Sequence, residues 1–293
     1  MVRAFMIMPI FRLLVPMLAM TALAQAQLAT SLRLSKTQYL SGEPIIATVT
    51  ITNHAGHDLL FVGEAQRPWL DFVITNAQGS SATPTGRSAF GVVKSSAGQT
   101  LSRMVDLSTL FQLADPGNYS VSATIRMPGR DGETITTTRA LMTVSPGRPY
   151  WTQKVGIGPS GKTREFRILN FSGDQKSQLY AQVLDGRTGL PVRTFSLGEA
   201  LLLRKPSVTV DKNQRMHVLF LANPSSWVHC QIDTDGKLVN RAIHKCAAQG
   251  DPILMTAPDG SVSVTNSLLY DPKAEAAAHA KFRKLSERPS FTY

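Results

Sequence analysis

The first half of the chain alternates between apolar and polar positions with a period of two residues. The alternation is clearest in two segments, 45–52 and 119–126, where β-branched, aromatic or small apolar residues occupy every second position. Such alternation is typical of half-buried antiparallel strands. Turn sequences rich in Gly, Pro, Asn and Asp separate these segments, and a short helical turn is expected within 107–113. The pattern therefore predicts a β-sandwich over residues 27–144.

The second half contains short strand-like segments that recur. One copy includes Gln182 and Pro206, and the next includes Gln231 and Pro252, at offsets of 49 and 46 residues. Short strands that repeat at this period predict a β-domain assembled from copies of one unit. Similar hairpins in unrelated folds are the alternative explanation of the pattern.

The segment Ser145–Pro149 is a short, stiff linker rich in Pro and Gly. It divides the mature chain into predicted domains at 27–147 and 148–270, followed by a C-terminal helix and tail at 271–293. A helical pattern covers 271–288, with a proline in its first turn and basic residues near its end. We expect this helix to pack against its own domain.

Residues 1–26 have the order of a secretory signal peptide: basic residues, an apolar stretch and the small-residue site Ala24–Ala26. An uncleaved anchor is the alternative, but the apolar run after Arg12 is shorter than the ~20 residues that a spanning helix needs. We expect an exported protein, periplasmic or extracellular, with no transmembrane segment after signal removal.

The net charge of +11 falls to +9 when the two arginines of the signal peptide are removed. The basic residues are scattered, and no basic stretch is interleaved with aromatic residues, so we expect no nucleic-acid partner. The positive charge favours a protein partner or an anionic polymer of the cell envelope. No cofactor is expected.

The segment Asp115-x-Gly117-x-Tyr119 resembles the tyrosine corner of immunoglobulin-like sandwiches. Val121 stands where antibody domains have a cysteine, so the resemblance is to the disulfide-free Ig-like modules of exported bacterial proteins. It implies a structural role for Tyr119, whose hydroxyl would form a hydrogen bond backwards along the chain.

Residues 150–270 resemble the blade repeats of β-propellers. Two or three copies cannot close a ring, which needs about four blades. The resemblance therefore implies an open, blade-like antiparallel domain, or a partial ring that another chain completes.

Cys230 and Cys246 are predicted to form a disulfide, because export places them in an oxidising compartment. A turn at Asp235–Gly236 would put Cys230 opposite Arg241, so Cys246 would have to reach it from beyond the end of that strand. The bond would be worth about 3 kcal/mol.

Metal binding by these cysteines with the adjacent His229 and His244 is the alternative to the disulfide. It offers three ligands at best, because neighbours on a strand point to opposite faces and structural zinc usually has four protein ligands.

Three further motifs have a structural explanation. Gly156–Thr163 matches a phosphate-loop pattern, but a strand-like segment follows it where the loop requires a helix, so we interpret it as a hairpin turn. His54 and His57 lie in a loop without identifiable further ligands. Asp233–Gly236 resembles part of a calcium loop but lacks the downstream glutamate.

The sequence contains no signature of a serine nucleophile or of a zinc protease. We therefore expect an all-β, non-enzymatic binding or scaffolding protein of the cell envelope or extracellular space. The alternative is a hydrolase acting on an anionic polymer in the cleft between the domains. A convergent cluster of carboxylates with perturbed pKa values, or a Ser/His pair, in that cleft would favour the hydrolase, whereas an exposed apolar patch or bare sheet edge would favour binding.

Overall fold

The fold is described by a computed structural model of residues 27–277, except 65–66, 88–89, 131, 159–160, 174–176 and 272. The predicted signal peptide lies outside the described residues, as does most of the predicted helix 271–288. Its described part, 273–277, is helical. The remaining regular structure is almost entirely strand, which confirms the predicted all-β fold.

The described residues form ten strands in the N-terminal half, which we define as residues 27–145. They are β1 (Leu28–Leu34), β2 (Gln38–Leu40), β3 (Ile46–Asn53), β4 (Leu59–Phe61), β5 (Leu70–Asn76), β6 (Val93–Ser95), β7 (Thr100–Asp106), β8 (Gly117–Arg126), β9 (Thr134–Thr136) and β10 (Ala140–Ser145). One sheet has the order β1-β3-β7 and the other β2-β10-β8-β5, with β9 beside β8, while β4 pairs with β6. The predicted turn within 107–113 is present as a 3-10 helix at Leu107–Thr109.

The two sheets of the N-terminal half enclose one apolar core, and the alternation in the sequence decides which side chains enter it. The predicted inward residues of β3, Ala47, Val49 and Ile51, are fully buried. The predicted inward positions of β8 are buried as well. Trp69 is the largest fully buried side chain, and its indole N–H donates to the carbonyl of Gly91 at 2.8 Å.

The described part of the C-terminal half, which begins at Pro149, contains eleven strands. They are β11 (Pro149–Ile157), β12 (Lys162–Phe171), β13 (Gln178–Asp185), β14 (Pro191–Glu199), β15 (Ser207–Val210), β16 (Met216–Asn223), β17 (Ser226–Ile232), β18 (Leu238–Cys246), β19 (Ile253–Thr256), β20 (Val262–Thr265) and β21 (Ser267–Tyr270). We call β11-β12-β13-β14 the first meander and β15-β16-β17-β18 the second meander. We call β19-β20 the terminal hairpin, and β21 pairs with the edge of the second meander at β18.

The two meanders repeat each other in register at the turn after their third strand. Asp185 and Asp233 each accept hydrogen bonds from backbone N–H groups of that turn. They are 48 residues apart, one fewer than the offset predicted from Gln182 and Gln231. Because side chains alternate, a slip of one residue inverts every face. Gln182 accordingly points towards the N-terminal half, whereas Gln231 points to the opposite side of the C-terminal half.

The layers of the C-terminal half are stacked. The two meanders share a core that includes Phe166, Ile168, Ala181 and Val183 from the first, and Met216, Val218, Phe220 and Cys230 from the second. The terminal hairpin packs on the other face of the second meander, through Leu254 and Val264 on Leu219, Leu221 and Trp227. The hairpin is thus a third layer.

The N-terminal half covers the outer face of the first meander. Leu40 is fully buried against Leu169 and Tyr180. The carbonyl of Ser41 accepts a hydrogen bond from the Gln182 side chain at 3.1 Å. The stack therefore runs in the order N-terminal half, first meander, second meander, terminal hairpin.

A charged group lies in the same junction. Lys36 forms an ion pair with Glu43 and donates a hydrogen bond to the Tyr180 hydroxyl at 3.1 Å. Glu43 also accepts the backbone N–H of Leu40 at 3.0 Å. Burial acts against the charge of Lys36, but the hydrogen bonds to Glu43 and Tyr180 outweigh it and raise the pKa of the ammonium group. The junction is therefore held by a charged contact as well as an apolar one.

The phosphate-loop pattern at 156–163 forms a hairpin, as predicted. Ile157 pairs with Lys162, and the strand β12 follows directly. The loop has no helix after it to bind phosphate.

Candidate binding surface

Tyr119 makes the backward hydrogen bond that the sequence predicts. Its hydroxyl donates to the backbone carbonyl of Asp115 at 2.8 Å. Burial, together with the nearby charge of Asp115, raises the pKa of the hydroxyl. The bond fixes the start of β8 to the segment before it, so Tyr119 has a structural role in the N-terminal half.

The predicted disulfide between Cys230 and Cys246 is wrong: both cysteines are free. Cys230 does pair with Arg241, as predicted, and its side chain enters the core between the meanders. Cys246 lies farther along β18 and on the opposite face, where it is exposed. Five residues of strand span about 16 Å, well beyond the reach of a disulfide. The sequence argument could fix the pairing of the strands but not the length of β18.

The cleft between the two halves contains a cavity of about 510 Å³. Its lining includes Glu43 and Asp115, but Glu43 is already paired with Lys36. Among the described residues of this lining there is no histidine, so the Ser/His pair that would favour a hydrolase is not formed by them.

The terminal hairpin is a layer of two strands, where each meander has four. Asn266, with a φ of 54°, turns the chain after β20, and β21 then joins the second meander instead of extending the hairpin. At the other end, the N–H of Lys212 donates to the carbonyl of Gly260 at 2.9 Å, and its ammonium group pairs with Asp259 at 2.7 Å. The hairpin is therefore attached to the second meander at both ends.

Within the described part of the chain, β20 has no strand partner on the side away from β19. The hydrogen-bonded turn before β20 fixes which residues pair through hydrogen bonds. By the alternation of antiparallel ladders, Val262 opposite Thr256 and Val264 opposite Leu254 are the non-hydrogen-bonded pairs. The backbone N–H and C=O groups of Val262 and Val264 therefore point outwards along a bare edge.

Large apolar side chains are exposed on the terminal hairpin and on neighbouring segments. Ile253 and Met255 belong to the hairpin, whereas Leu202 and Leu203 lie before β15, and Leu268 and Leu269 lie in β21. Leu203 is 84% exposed and Leu269 is 75% exposed, on segments that flank the hairpin contact. Met255 projects from the face of the hairpin that turns away from the second meander. Clustered exposed apolar residues are typical of protein interaction sites.

A row of three buried histidines crosses the face of the second meander that lies under the terminal hairpin. His217 on β16 lies with its Nδ1 3.0 Å from Nε2 of His229 on β17, and its Nε2 3.2 Å from the carboxylate of Asp211. His244 on β18 continues the row, with its ring centre 6.1 Å from that of His229. We call His217, His229 and His244 the histidine row.

Two members of the histidine row, His229 and His244, lie where burial disfavours a charged ring. Burial lowers the pKa of His229 to about 4, and the charges of His217 and His244 contribute. Burial also lowers the pKa of His244, whose Nδ1 lies 3.0 Å from the Ser267 hydroxyl and whose buried Nε2 has no hydrogen-bond partner among the described residues.

Sequence reasoning considered His229 and His244 only as metal ligands and missed His217 and Asp211. The signal was present, because His217 interrupts an otherwise apolar run that predicts a buried strand. The described residues contain no group of three or more His, Cys, Asp or Glu side chains arranged to hold a metal ion.

No family model matches the chain, and no curated protein matches it. Among the helices of the described residues, none has the length and apolar character needed to cross a membrane.

Proposed function

We propose that this chain is an exported, non-enzymatic binding or scaffolding protein of the cell envelope or extracellular space, and that its partner binds at the bare edge of β20. The observation that carries the proposal is the third layer, which among the described residues has two strands where each meander has four. The predicted signal peptide supports export.

The chemistry of the edge favours an extended polypeptide as the partner. A strand added beside β20 would form main-chain hydrogen bonds with Val262 and Val264, which is the β-augmentation mode of recognition. Its alternate side chains would lie over β17 and β18 of the second meander, where Ala242 is only partly covered. We therefore expect a partner segment with apolar residues at every second position.

The shape of the stack limits the partner to a thin element. The sheet of the second meander extends with β18 and β21 beneath the position beside β20. A partner domain with a second layer of its own would collide with these two strands. An anionic envelope polymer does not repeat the alternating donors and acceptors of an extended backbone, so it fits this edge less well than a polypeptide strand. The repeated meanders support the same conclusion. If the terminal hairpin corresponds to the first two strands of a meander, the element that would follow it is a single third strand.

The proposal is tested with a peptide that has the sequence of the third strand of the first meander, Gln178–Asp185. We expect it to bind the mature chain, measured by fluorescence anisotropy, and a scrambled peptide not to bind. Val262→Pro removes an outward N–H of β20 and should abolish binding. Thr256→Pro is the matched control, because it removes the outward N–H of the directly opposite residue on β19. Equal binding by the two variants, or no binding by the unmodified chain, would contradict the proposal.

A further inference from the structure

We infer that the histidine row makes the terminal hairpin acid-sensitive: when the row takes up protons, the hairpin separates from the second meander. The inference depends on the proposed function only for its consequence, that a partner bound at β20 is released in acid. The opening of the hairpin itself follows from the contacts of the row.

The hydrogen bonds of the row can all form with one proton on each of two rings. An ionised carboxylate only accepts, so Asp211 accepts the Nε2–H of His217. His217 then has a bare Nδ1, which accepts the Nε2–H of His229. In this arrangement both contacts are satisfied.

The carboxylates near the row already have partners, so additional protons on the histidines would gain no new acidic partner. The acidic groups around the row are Asp211 on the second meander, Asp251 in the loop before β19, and Asp259 in the turn of the hairpin. Asp251 pairs with Arg204, and Asp259 pairs with Lys212.

The other titratable groups near the row provide no further carboxylate for a charged histidine. The exposed thiol of Cys246, on the same face of β18 as His244, lies 3.6 Å from Asp251. Lys245 projects to the other face of β18 and pairs with Glu275. Asp211 is therefore the only carboxylate in contact with the row among the described residues, and it already bonds His217.

The direction of the pH effect follows from the lowered pKa values. His229 has an ordinary pKa of 6.5, which falls to about 4 while the hairpin is closed. The neutral form is favoured in the closed state, so closure is fully favoured above pH 6.5 and loses strength as the pH falls towards 4. If the ring regains its ordinary pKa on opening, His229 alone raises the ratio of open to closed hairpin about 20-fold between pH 7 and pH 5.

The hairpin should open before the rest of the stack. It is attached through Leu254 and Val264, a much smaller apolar contact than the core shared by the two meanders. Local opening is easiest where few apolar contacts must be broken. Proton uptake under the hairpin therefore acts on the weakest layer.

Hydrogen–deuterium exchange of the full mature chain at pH 7 and pH 5, corrected for intrinsic exchange, tests the inference. We expect protection of the terminal hairpin to fall about 20-fold, while protection of β12 in the first meander stays unchanged. The double variant His229→Gln, His244→Gln should remove most of this pH dependence. His57→Gln, an exposed loop histidine, is the matched control and should leave it intact.

Equal loss of protection in both segments, or no loss in the hairpin, would overturn the inference. If the double variant does not fold, the ring resonances of His229 in the unmodified chain decide: a midpoint at or above pH 6.5 overturns the inference, and one near 4 supports it. Peptide binding at pH 7 decides the proposed function separately, because the hairpin is closed at that pH.

Discussion

Replacing Glu43 or Lys36 should show that the charged contact in the junction is asymmetric. The side chain of Glu43 is 7% exposed and that of Lys36 is 26% exposed. In Lys36→Met the carboxylate stays buried, keeps the N–H of Leu40 as a donor and loses its ion-pair partner. Removing the partner of a buried charge is strongly destabilising, so we expect a loss of about 3 kcal/mol.

Glu43→Gln should cost less, about 1 kcal/mol. The more exposed ammonium group of Lys36 can turn towards water. An ion pair with one partly exposed partner also stabilises the fold less than a fully buried pair. It also keeps its hydrogen bond to Tyr180. Because each single change leaves an unpaired group that the double variant lacks, the combined loss should be smaller than the sum by about 1–2 kcal/mol.

Urea unfolding followed by circular dichroism at pH 7 measures these differences. The exposed ion pair between Lys94 and Asp58 provides the control, and Lys94→Met should leave the unfolding midpoint unchanged. The raised pKa of Lys36 means that its stabilisation is complete below pH 10.5 and falls only as the pH rises through the higher folded value, so results at pH 6 and pH 8 should agree. Additive losses, or a larger loss in Glu43→Gln than in Lys36→Met, would refute the reasoning.

Three further outcomes are expected. Tyr119→Phe should destabilise the mature chain by about 1–2 kcal/mol in urea, and an unchanged midpoint would mean that the bond to the backbone carbonyl contributes nothing. A thiol reagent should modify the exposed Cys246 in the native chain and the buried Cys230, whose pKa burial raises to about 11, only after unfolding; a native chain with no reactive thiol would instead indicate a bond between them. Intact mass of the exported chain should begin at Gln27, whereas recovery of Met1 would support an anchor.

Period-two alternation was enough to predict the strands and their inward faces. Ala47 and Val121 are buried where the pattern places them, since one buried face imposes the period directly. The turn at Asp235–Gly236 likewise sufficed to pair Cys230 with Arg241, because the register of a hairpin follows from its turn.

Contacts between distant layers could not be predicted in the same way. The histidine row depends on three strands lying side by side in one register, and the junction depends on Leu40 meeting Tyr180 across 140 residues of sequence. Repeat matching by residue identity was misled by Gln182 and Gln231, since identical residues on opposite faces are not equivalent.

The N-terminal half covers the first meander, so further layers could be added to the stack only at the opposite end, beside the terminal hairpin. A longer version of the chain could gain layers only after Thr265, where an inserted strand pair would complete the third layer. A further repeat could then bury Ile253 and Met255 without disturbing anything before them. Lengthening by duplication would thus be tolerated at one end of the molecule and blocked at the other.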